Sequence, residues 1–230
     1  MKIKICGIRR PEDAVLAAEA GADAVGILHG QQHPSPDFVD AAMAGKILAV
    51  LPPFIAGVLV THVPDPVAVL KTIRELGFTS VQIHSEMSPN GIRLLREALP
   101  SLRILKSLHV VNQESLVGPV AYLGLVEGFV LDTYNPHTGQ VGGSGLTHDW
   151  QLSREMIRTY PQARFILAGG LTAANVAEAI TATRPYGVDV NSGTKGPDGF
   201  KAPEQVRAFI EATCRCASMP SPMRIESAVE

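Results

Sequence analysis

The chain has 230 residues, of which 46% are hydrophobic and 18% are charged, and its formal net charge is −2. This composition predicts one large globular domain, and the absence of any run of Lys and Arg argues against nucleic acid or an acidic membrane surface and favours a small-molecule ligand. No apolar stretch approaches the length of a membrane span and no signal-type segment opens the chain, so we expect a cytoplasmic protein.

Short β-branched segments alternate along the chain with longer segments whose apolar residues recur at helical spacing, which is typical of βα units around a parallel sheet. The eight predicted strands are Lys2–Cys6, Asp23–Leu28, Phe54–Val60, Ser80–Ile83, Arg103–Ser107, Gly128–Asp132, Arg164–Ala168 and Gly187–Val190. The predicted helices are Glu12–Ala20, Val39–Ala49, Pro66–Leu76, Pro89–Ala98, Trp150–Thr159, Ala173–Ala182 and Pro203–Ala212, and a further helix with the least regular pattern lies around Asn112–Leu123.

Eight such units predict a single-domain (β/α)8 TIM barrel with eight parallel strands over residues 1–213, because this length is close to the minimum for that fold. Residues 214–230 have no apolar period and are predicted to form a flexible tail. The alternative is a doubly wound open sheet. That fold predicts a Gly-rich phosphate-binding turn after the first strand, whereas the turn here, at Cys6-Gly7-Ile8, has one Gly.

Two ionisable side chains are placed at strand ends. Cys6 ends the first predicted strand and Asp132 ends the sixth, so in a parallel barrel both reach the face where such barrels carry their chemistry. Taken singly, a cysteine in an apolar strand more often fills space, and an aspartate after a strand more often caps a helix. Together, a thiol and a carboxyl at one rim favour proton transfer.

Glycines follow the last two predicted strands. Gly169-Gly170 and Ser192-Gly193 leave backbone N–H groups open, and in barrels these two loops commonly bind one phosphate group. A Gly pair alone more often makes a tight turn, but two such turns in adjacent units favour a phosphorylated ligand. We find no fingerprint of a redox coenzyme and no metal-ligand spacing around Cys214 and Cys216, so neither cofactor nor metal is predicted.

His84 ends the fourth predicted strand, where its ring could point into a pocket, although a structural imidazole is the more common finding. Two longer loops, Gly30–Asp37 and Thr133–Thr147, follow strands on the predicted catalytic face, and the second is rich in glycine. Loops of this kind often act as lids.

The motifs taken in order resemble those of the phosphoribosylanthranilate isomerase family of tryptophan biosynthesis, over about residues 2–212. They are Lys4-Ile5-Cys6-Gly7-Ile8, Gly21-Ala22-Asp23-Ala24-Val25-Gly26, Leu51-Pro52-Pro53-Phe54, Val81-Gln82-Ile83-His84, Leu131-Asp132-Thr133, Gly142-Gly143-Ser144-Gly145, Asp149-Trp150, Ala168-Gly169-Gly170-Leu171 and Val188-Asp189-Val190-Asn191-Ser192-Gly193.

The resemblance implies an Amadori rearrangement of an N-(5-phosphoribosyl) aromatic amine to a 1-amino-1-deoxyribulose 5-phosphate, which is an intramolecular redox isomerisation without a cofactor. Cys6 would be the general base at sugar carbon 2 and Asp132 the general acid at the ring oxygen. The site must then lower the pKa of the thiol and raise that of the carboxyl, each by on the order of two units. The resemblance also implies substrate contacts from His84, Gly143 and Asp189.

Three positions depart from the family pattern. Asp37 stands where the resemblance implies an Arg for the anthranilate carboxylate, Lys195 stands where it implies Glu, and Ser85 replaces a Gly. The first two changes are opposite in sign, so we expect Asp37 and Lys195 to form an exchanged ion pair across the mouth. Arg9 is the other candidate for the missing positive charge. The change leaves open a paralogous sugar-phosphate isomerase or lyase that acts on another substrate, and a monomer and a homodimer both remain possible.

Overall fold

Eight parallel strands close into a barrel in chain order, which confirms the predicted fold class. The structure, a computed structural model, describes residues 1–31, 35–133 and 149–217. The strands are β1 Lys2–Ile5, β2 Ala24–Leu28, β3 Ala56–Thr61, β4 Ser80–Ile83, β5 Arg103–His109, β6 Gly128–Asp132, β7 Phe165–Leu167 and β8 Gly187–Val190. Because every strand runs in the same direction, all their carboxyl ends lie on one face of the barrel.

Helices surround the barrel, and four of them begin at side-chain caps that the sequence supplies. They are α1 Pro11–Ala20, α2 Ala41–Ala49, α3 Pro66–Leu76, α4 Pro89–Ala98, α5 Trp150–Thr159, α6 Val176–Thr183 and α7 Pro203–Ala217. Asp40, Asp65, Ser88 and Asp149 each accept a backbone N–H of the following helix. These caps satisfy donors that the first helical turn leaves without partners.

Two parts of the secondary structure differ from the prediction. The expected helix around Asn112–Leu123 is replaced by two short 3-10 helices, Gln113–Val117 and Val120–Tyr122, with Gly118 and Pro119 between them. Proline has no N–H for a helical hydrogen bond, and glycine favours a break. The last helix continues to Ala217, so residues 214–217 are helical, and the rest of the predicted tail lies outside the described residues.

The main apolar core lies between the barrel and its helices, where isoleucine, leucine, valine and phenylalanine side chains are buried. A second, smaller cluster consists of Cys6, Leu28 and Val60, on the first three βα units. The carboxyl-end face therefore presents an apolar wall close to the predicted thiol. Within the described part of the chain, no helix is both long and apolar enough to cross a membrane.

Candidate active site

A cavity of about 260 Å³ opens among the carboxyl ends of the strands. It brings together most of the residues that the sequence predicts for the site. Those that line it are Cys6, Asp37, His84, Asp132, Gly169, Gly170, Asp189, Ser192 and Lys195. The thiol and the carboxyl that were predicted to share one rim therefore share one cavity.

Cys6 follows β1 directly, and its backbone N–H donates to the carbonyl oxygen of Val190 at 2.8 Å. Its side chain packs with Leu28 and Val60 and is 9% exposed. This burial raises the pKa of the thiol from 9.0 to about 11, although the neighbouring Lys4 ammonium opposes the shift. The expectation that the site lowers the thiol pKa is therefore wrong for the free enzyme, because loss of hydration outweighs the nearby positive charge.

Asp132 is the last residue of β6 and lies buried at the cavity wall. Its Oδ1 accepts the backbone N–H of Thr133 at 2.8 Å. Burial raises the pKa of the carboxyl from 3.8 to about 6, and the Thr133 hydrogen bond limits the rise. The predicted direction is confirmed, and Oδ2 is the oxygen left to carry a proton toward a ligand.

A buried ion pair lies beside the thiol. Lys4 and Asp189 are register partners on β1 and β8, and Lys4 Nζ donates to Asp189 Oδ2 at 2.7 Å. Burial lowers the pKa of Lys4, but the charges of Asp189 and Cys6 outweigh it and the pKa is raised. The other oxygen of Asp189, Oδ1, is buried without a hydrogen-bond partner. That oxygen can accept a hydrogen bond from a hydroxyl group of a ligand.

The opposite wall carries a buried hydrogen-bonded chain. Gln82 Nε2 donates to Ser107 Oγ at 3.0 Å, and Ser107 Oγ lies 2.9 Å from His84 Nδ1. His84 Nε2 lies 4.0 Å from Asp132 Oδ2. Burial, followed by the positive charges that His62 and His109 can take up, lowers the pKa of His84 well below 6.5, so its ring is neutral.

The loop after β2 and the loop after β8 meet through an ion pair. Lys195 Nζ lies 2.5 Å from Asp37 Oδ1, and Asn191 Nδ2 donates to Asp37 Oδ2 at 2.8 Å. Behind them, Lys201 Nζ donates to the carbonyl oxygen of Asn191 at 2.8 Å. The hypothesis of an Asp37–Lys195 pair is confirmed, and both oxygens of Asp37 have partners.

The glycines of the predicted phosphate site hold two loops against each other. Gly169 and Gly170 have φ values of 82° and 64°, which side chains rarely adopt, and they line the cavity together with Ser192. Gly193 lies behind them, where a Cβ would collide with the carbonyl oxygen of Leu171. The open backbone at residues 169, 170 and 192 is suited to an anion, and Gly193 allows the close approach of the two loops.

Arg9, a predicted substrate contact, is not among the residues that line the cavity. The Arg9 guanidinium lies over the Phe200 ring, 4.7 Å from its centroid, and Arg10 lies over the same ring at 4.1 Å. This stacking directs Arg9 to the outer loops, so Lys195 is the cation that the described lining contains. Gly143 lies outside the described residues, as do most of the predicted Thr133–Thr147 lid and residues 32–34 of the other loop.

Sequence reasoning missed several residues that support the site. Lys4 and Gln82 had a detectable signal, because each lies two residues before a predicted site residue and therefore on the same face of its strand. Ser107 ends the fifth predicted strand and Asn191 follows the eighth, but their partners could not be predicted, because the contacts with His84 and Asp37 join segments that only the closed barrel brings together.

Comparison with known proteins adds independent findings. The family model "N-(5'phosphoribosyl)anthranilate (PRA) isomerase" matches residues 3–212. N-(5'-phosphoribosyl)anthranilate isomerase 2 of Methanosarcina mazei is 43% identical over 210 residues, which are 91% of this chain and 92% of the relative. The crystal structure of phosphoribosyl anthranilate isomerase from Thermotoga maritima has a TM-score of 0.80 at 32% identity and covers 94% of this chain and 99% of that chain. A phosphoribosyl anthranilate isomerase solved in complex with reduced 1-(o-carboxyphenylamino)-1-deoxyribulose 5-phosphate has a TM-score of 0.77 at 29% identity, with the same coverage.

Proposed function

Because the chain belongs to the N-(5'-phosphoribosyl)anthranilate isomerase family, we propose that its cavity converts N-(5'-phosphoribosyl)anthranilate to 1-(o-carboxyphenylamino)-1-deoxyribulose 5-phosphate. The observation that carries this proposal is the common cavity of Cys6 and Asp132, which also presents the open backbone of Gly169 and Gly170. The alternative of a different sugar-phosphate isomerase or lyase has no support from the relatives.

Asp132 acts first, as the general acid. In its protonated form it donates the Oδ2 proton to the ring oxygen of the ribose while the bond between that oxygen and carbon 1 breaks. The nitrogen lone pair forms a C=N bond to carbon 1, so the sugar opens to a protonated imine whose nitrogen keeps its hydrogen. A carboxyl whose pKa is raised to about 6 is protonated more often near neutrality than an exposed aspartate, which suits this role.

Cys6 acts second, as the general base. Its thiolate takes the proton from carbon 2, the C–H electron pair forms a C1=C2 bond, and the C=N pair returns to nitrogen. The resulting enol then takes up a proton at carbon 1 and releases its hydroxyl proton, which gives the ketone of the product. With a thiol pKa of about 11, the free enzyme holds the thiolate as a minor species. The Lys4 ammonium, which is held by Asp189, is the positive charge that stabilises the thiolate once it forms. This acid–base chemistry requires no metal or coenzyme.

The substrate has two anionic ends, and the cavity offers two matching regions. The phosphate binds at the backbone of residues 169, 170 and 192, and Asp189 Oδ1 accepts a sugar hydroxyl. The anthranilate carboxylate binds to Lys195, since an ammonium has three donors and the Asp37 contact uses one of them. The exchanged pair thus keeps a cation at the mouth for a carboxylated amine.

Turnover of N-(5'-phosphoribosyl)anthranilate by the purified chain tests the proposal, followed as loss of substrate fluorescence. The parent should convert it, and Cys6→Ser and Asp132→Asn should each lose at least about a hundredfold in kcat/KM. Cys214→Ser and Asp65→Asn are matched controls on exposed residues and should retain parental activity. An inactive parent, or an active pair of cavity variants, would contradict the proposed function.

We retain two expectations from the sequence, a cytoplasmic location and an assembly no larger than a homodimer. Neither expectation distinguishes a monomer from a dimer. Sedimentation equilibrium of the purified chain would decide the assembly.

A further inference from the structure

Two hydrogen bonds join the side chains of Gln82, Ser107 and His84, and the donor and acceptor atoms fix the direction of both bonds. All three side chains are buried, and the Gln82 amide donates to the Ser107 hydroxyl at 3.0 Å. A hydroxyl has one proton, and with its oxygen accepting from Gln82 that proton is available to His84 Nδ1, 2.9 Å away. A neutral imidazole that accepts at Nδ1 carries its own proton on Nε2.

The Nε2 atom of His84 faces the reacting oxygen of the general acid. It lies 4.0 Å from Asp132 Oδ2, whereas Asp132 Oδ1 is already bonded to the N–H of Thr133. Before proton transfer Oδ2 carries a proton, and after transfer it carries negative charge. An N–H group aimed at Oδ2 therefore interacts more favourably as the reaction proceeds, which is the requirement for catalysis rather than for substrate binding. Gaps of this size in a free enzyme often shorten in the reacting complex.

We propose that Gln82 and Ser107 are positioning residues that hold His84 as the Nε2–H tautomer, so that His84 donates to Asp132 Oδ2 as this carboxyl releases its proton. The inference rests on the proposed function. The opposite tautomer would present a lone pair to Oδ2, accept the acidic proton and hold it away from the sugar. The direction of the buried chain thus decides whether His84 assists or opposes the general acid.

Nitrogen NMR of the chain with 15N-labelled histidine reads the tautomer directly, and a His84→Gln variant identifies the His84 signals. In the parent, Nε2 should be protonated and Nδ1 should be an unprotonated acceptor. Ser107→Ala should shift the tautomer toward Nδ1–H and lower kcat about tenfold with little change in KM. Ser107→Thr retains the hydroxyl and should restore both properties, and Gln82→Met should shift the tautomer as Ser107→Ala does. Ser153→Ala, a buried serine of α5, is the matched control.

A parent with its proton on Nδ1 would overturn the inference, whatever its turnover. That result would mean that the Gln82 amide lies the other way round, with Oε1, which has no partner here, accepting from Ser107. A Ser107→Ala variant that loses kcat without a change of tautomer would reduce Ser107 to a packing role. If the parent has the Nε2–H tautomer but does not turn over the substrate, the proposed function fails and the assistance to Asp132 fails with it.

Discussion

The two walls of the cavity bury their polar groups in different ways. The wall formed by β8, β1 and the loop after β2 pairs opposite charges, Lys4 with Asp189 and Lys195 with Asp37. The wall formed by β4, β5 and β6 carries His84 and Asp132, whose pKa values burial shifts toward the neutral forms. Paired charges resist titration, whereas groups near neutrality exchange protons readily. One wall therefore keeps its charges fixed in pairs, and the other is suited to donating a proton.

The largest expected effect comes from breaking the buried pair of the charged wall. Lys4→Met leaves Asp189 as an uncompensated buried charge and should lower the free energy of unfolding by about 3–5 kcal/mol in urea titrations. Lys2 lies on the same strand, and its ion pair with Asp23 is exposed. Lys2→Met should therefore lower the free energy of unfolding by no more than about 1 kcal/mol.

A second variant separates charge from packing at this pair. Lys4→Met/Asp189→Leu replaces both charges with apolar groups and should recover most of the lost stability. Equal losses for Lys4→Met and Lys2→Met would contradict the assignment of Lys4–Asp189 as a buried pair.

Asp132→Asn tests the proton-donating wall through stability. Because burial raises the pKa of Asp132 from 3.8 to about 6, the folded state binds a proton more tightly than the unfolded state. The stabilisation that comes from this tighter proton binding is lost as the pH rises from about 4 to 6, so the ionised Asp132 destabilises the folded state at neutral pH. Asp132→Asn should therefore gain about 2–3 kcal/mol over the parent above pH 6, and the difference should vanish near pH 3.

Asp65→Asn is the control for this comparison, because Asp65 is an exposed helix cap and asparagine caps equally well. A stability difference for Asp132→Asn that is independent of pH would show that packing, and not ionisation, distinguishes the two side chains.

The smallest expected effect concerns substrate binding at the charged wall. Lys195→Met should raise KM for N-(5'-phosphoribosyl)anthranilate roughly tenfold to a hundredfold, because a charge-assisted hydrogen bond contributes about 1.5–3 kcal/mol. The KM of Lys195→Met for N-(5-phosphoribosyl)aniline, which lacks the carboxylate, should differ little from that of the parent. The double variant Asp37→Asn/Lys195→Met should show the same rise in KM, which excludes repulsion by an unpaired Asp37 as its cause. Lys46→Met on α2 is the surface control. An unchanged KM would remove Lys195 from the carboxylate site.

The sequence predicts the barrel well because strand and helix periods alternate with little local conflict. The prediction failed between β5 and β6, where Gly118-Pro119 separates two short 3-10 helices. Cys6 and Asp132 were predictable because the end of a parallel strand has a defined place in the fold. The placement of Asp37 against Lys195 was also predicted, from the opposite signs of two unusual residues.

The remaining properties of the site depend on distances that the sequence does not encode locally. The thiol pKa moves upward because Leu28 and Val60, from two other strands, desolvate Cys6. The Asn191–Asp37 hydrogen bond joins residues 154 positions apart. Arg9 was a reasonable cation for the cavity, but the ring of Phe200 attracts it elsewhere.

Trapping with sodium borodeuteride tests most directly the order in which the two walls act. Cys6→Ser should still open the ring, so incubation with N-(5'-phosphoribosyl)anthranilate and reduction should place deuterium at carbon 1 of an open-chain amine. The parent, which completes the rearrangement, should yield deuterium at carbon 2 from reduction of the ketone, and Asp132→Asn should yield neither. Label at carbon 1 with Asp132→Asn, or at carbon 2 with Cys6→Ser, would contradict the roles assigned to these two residues.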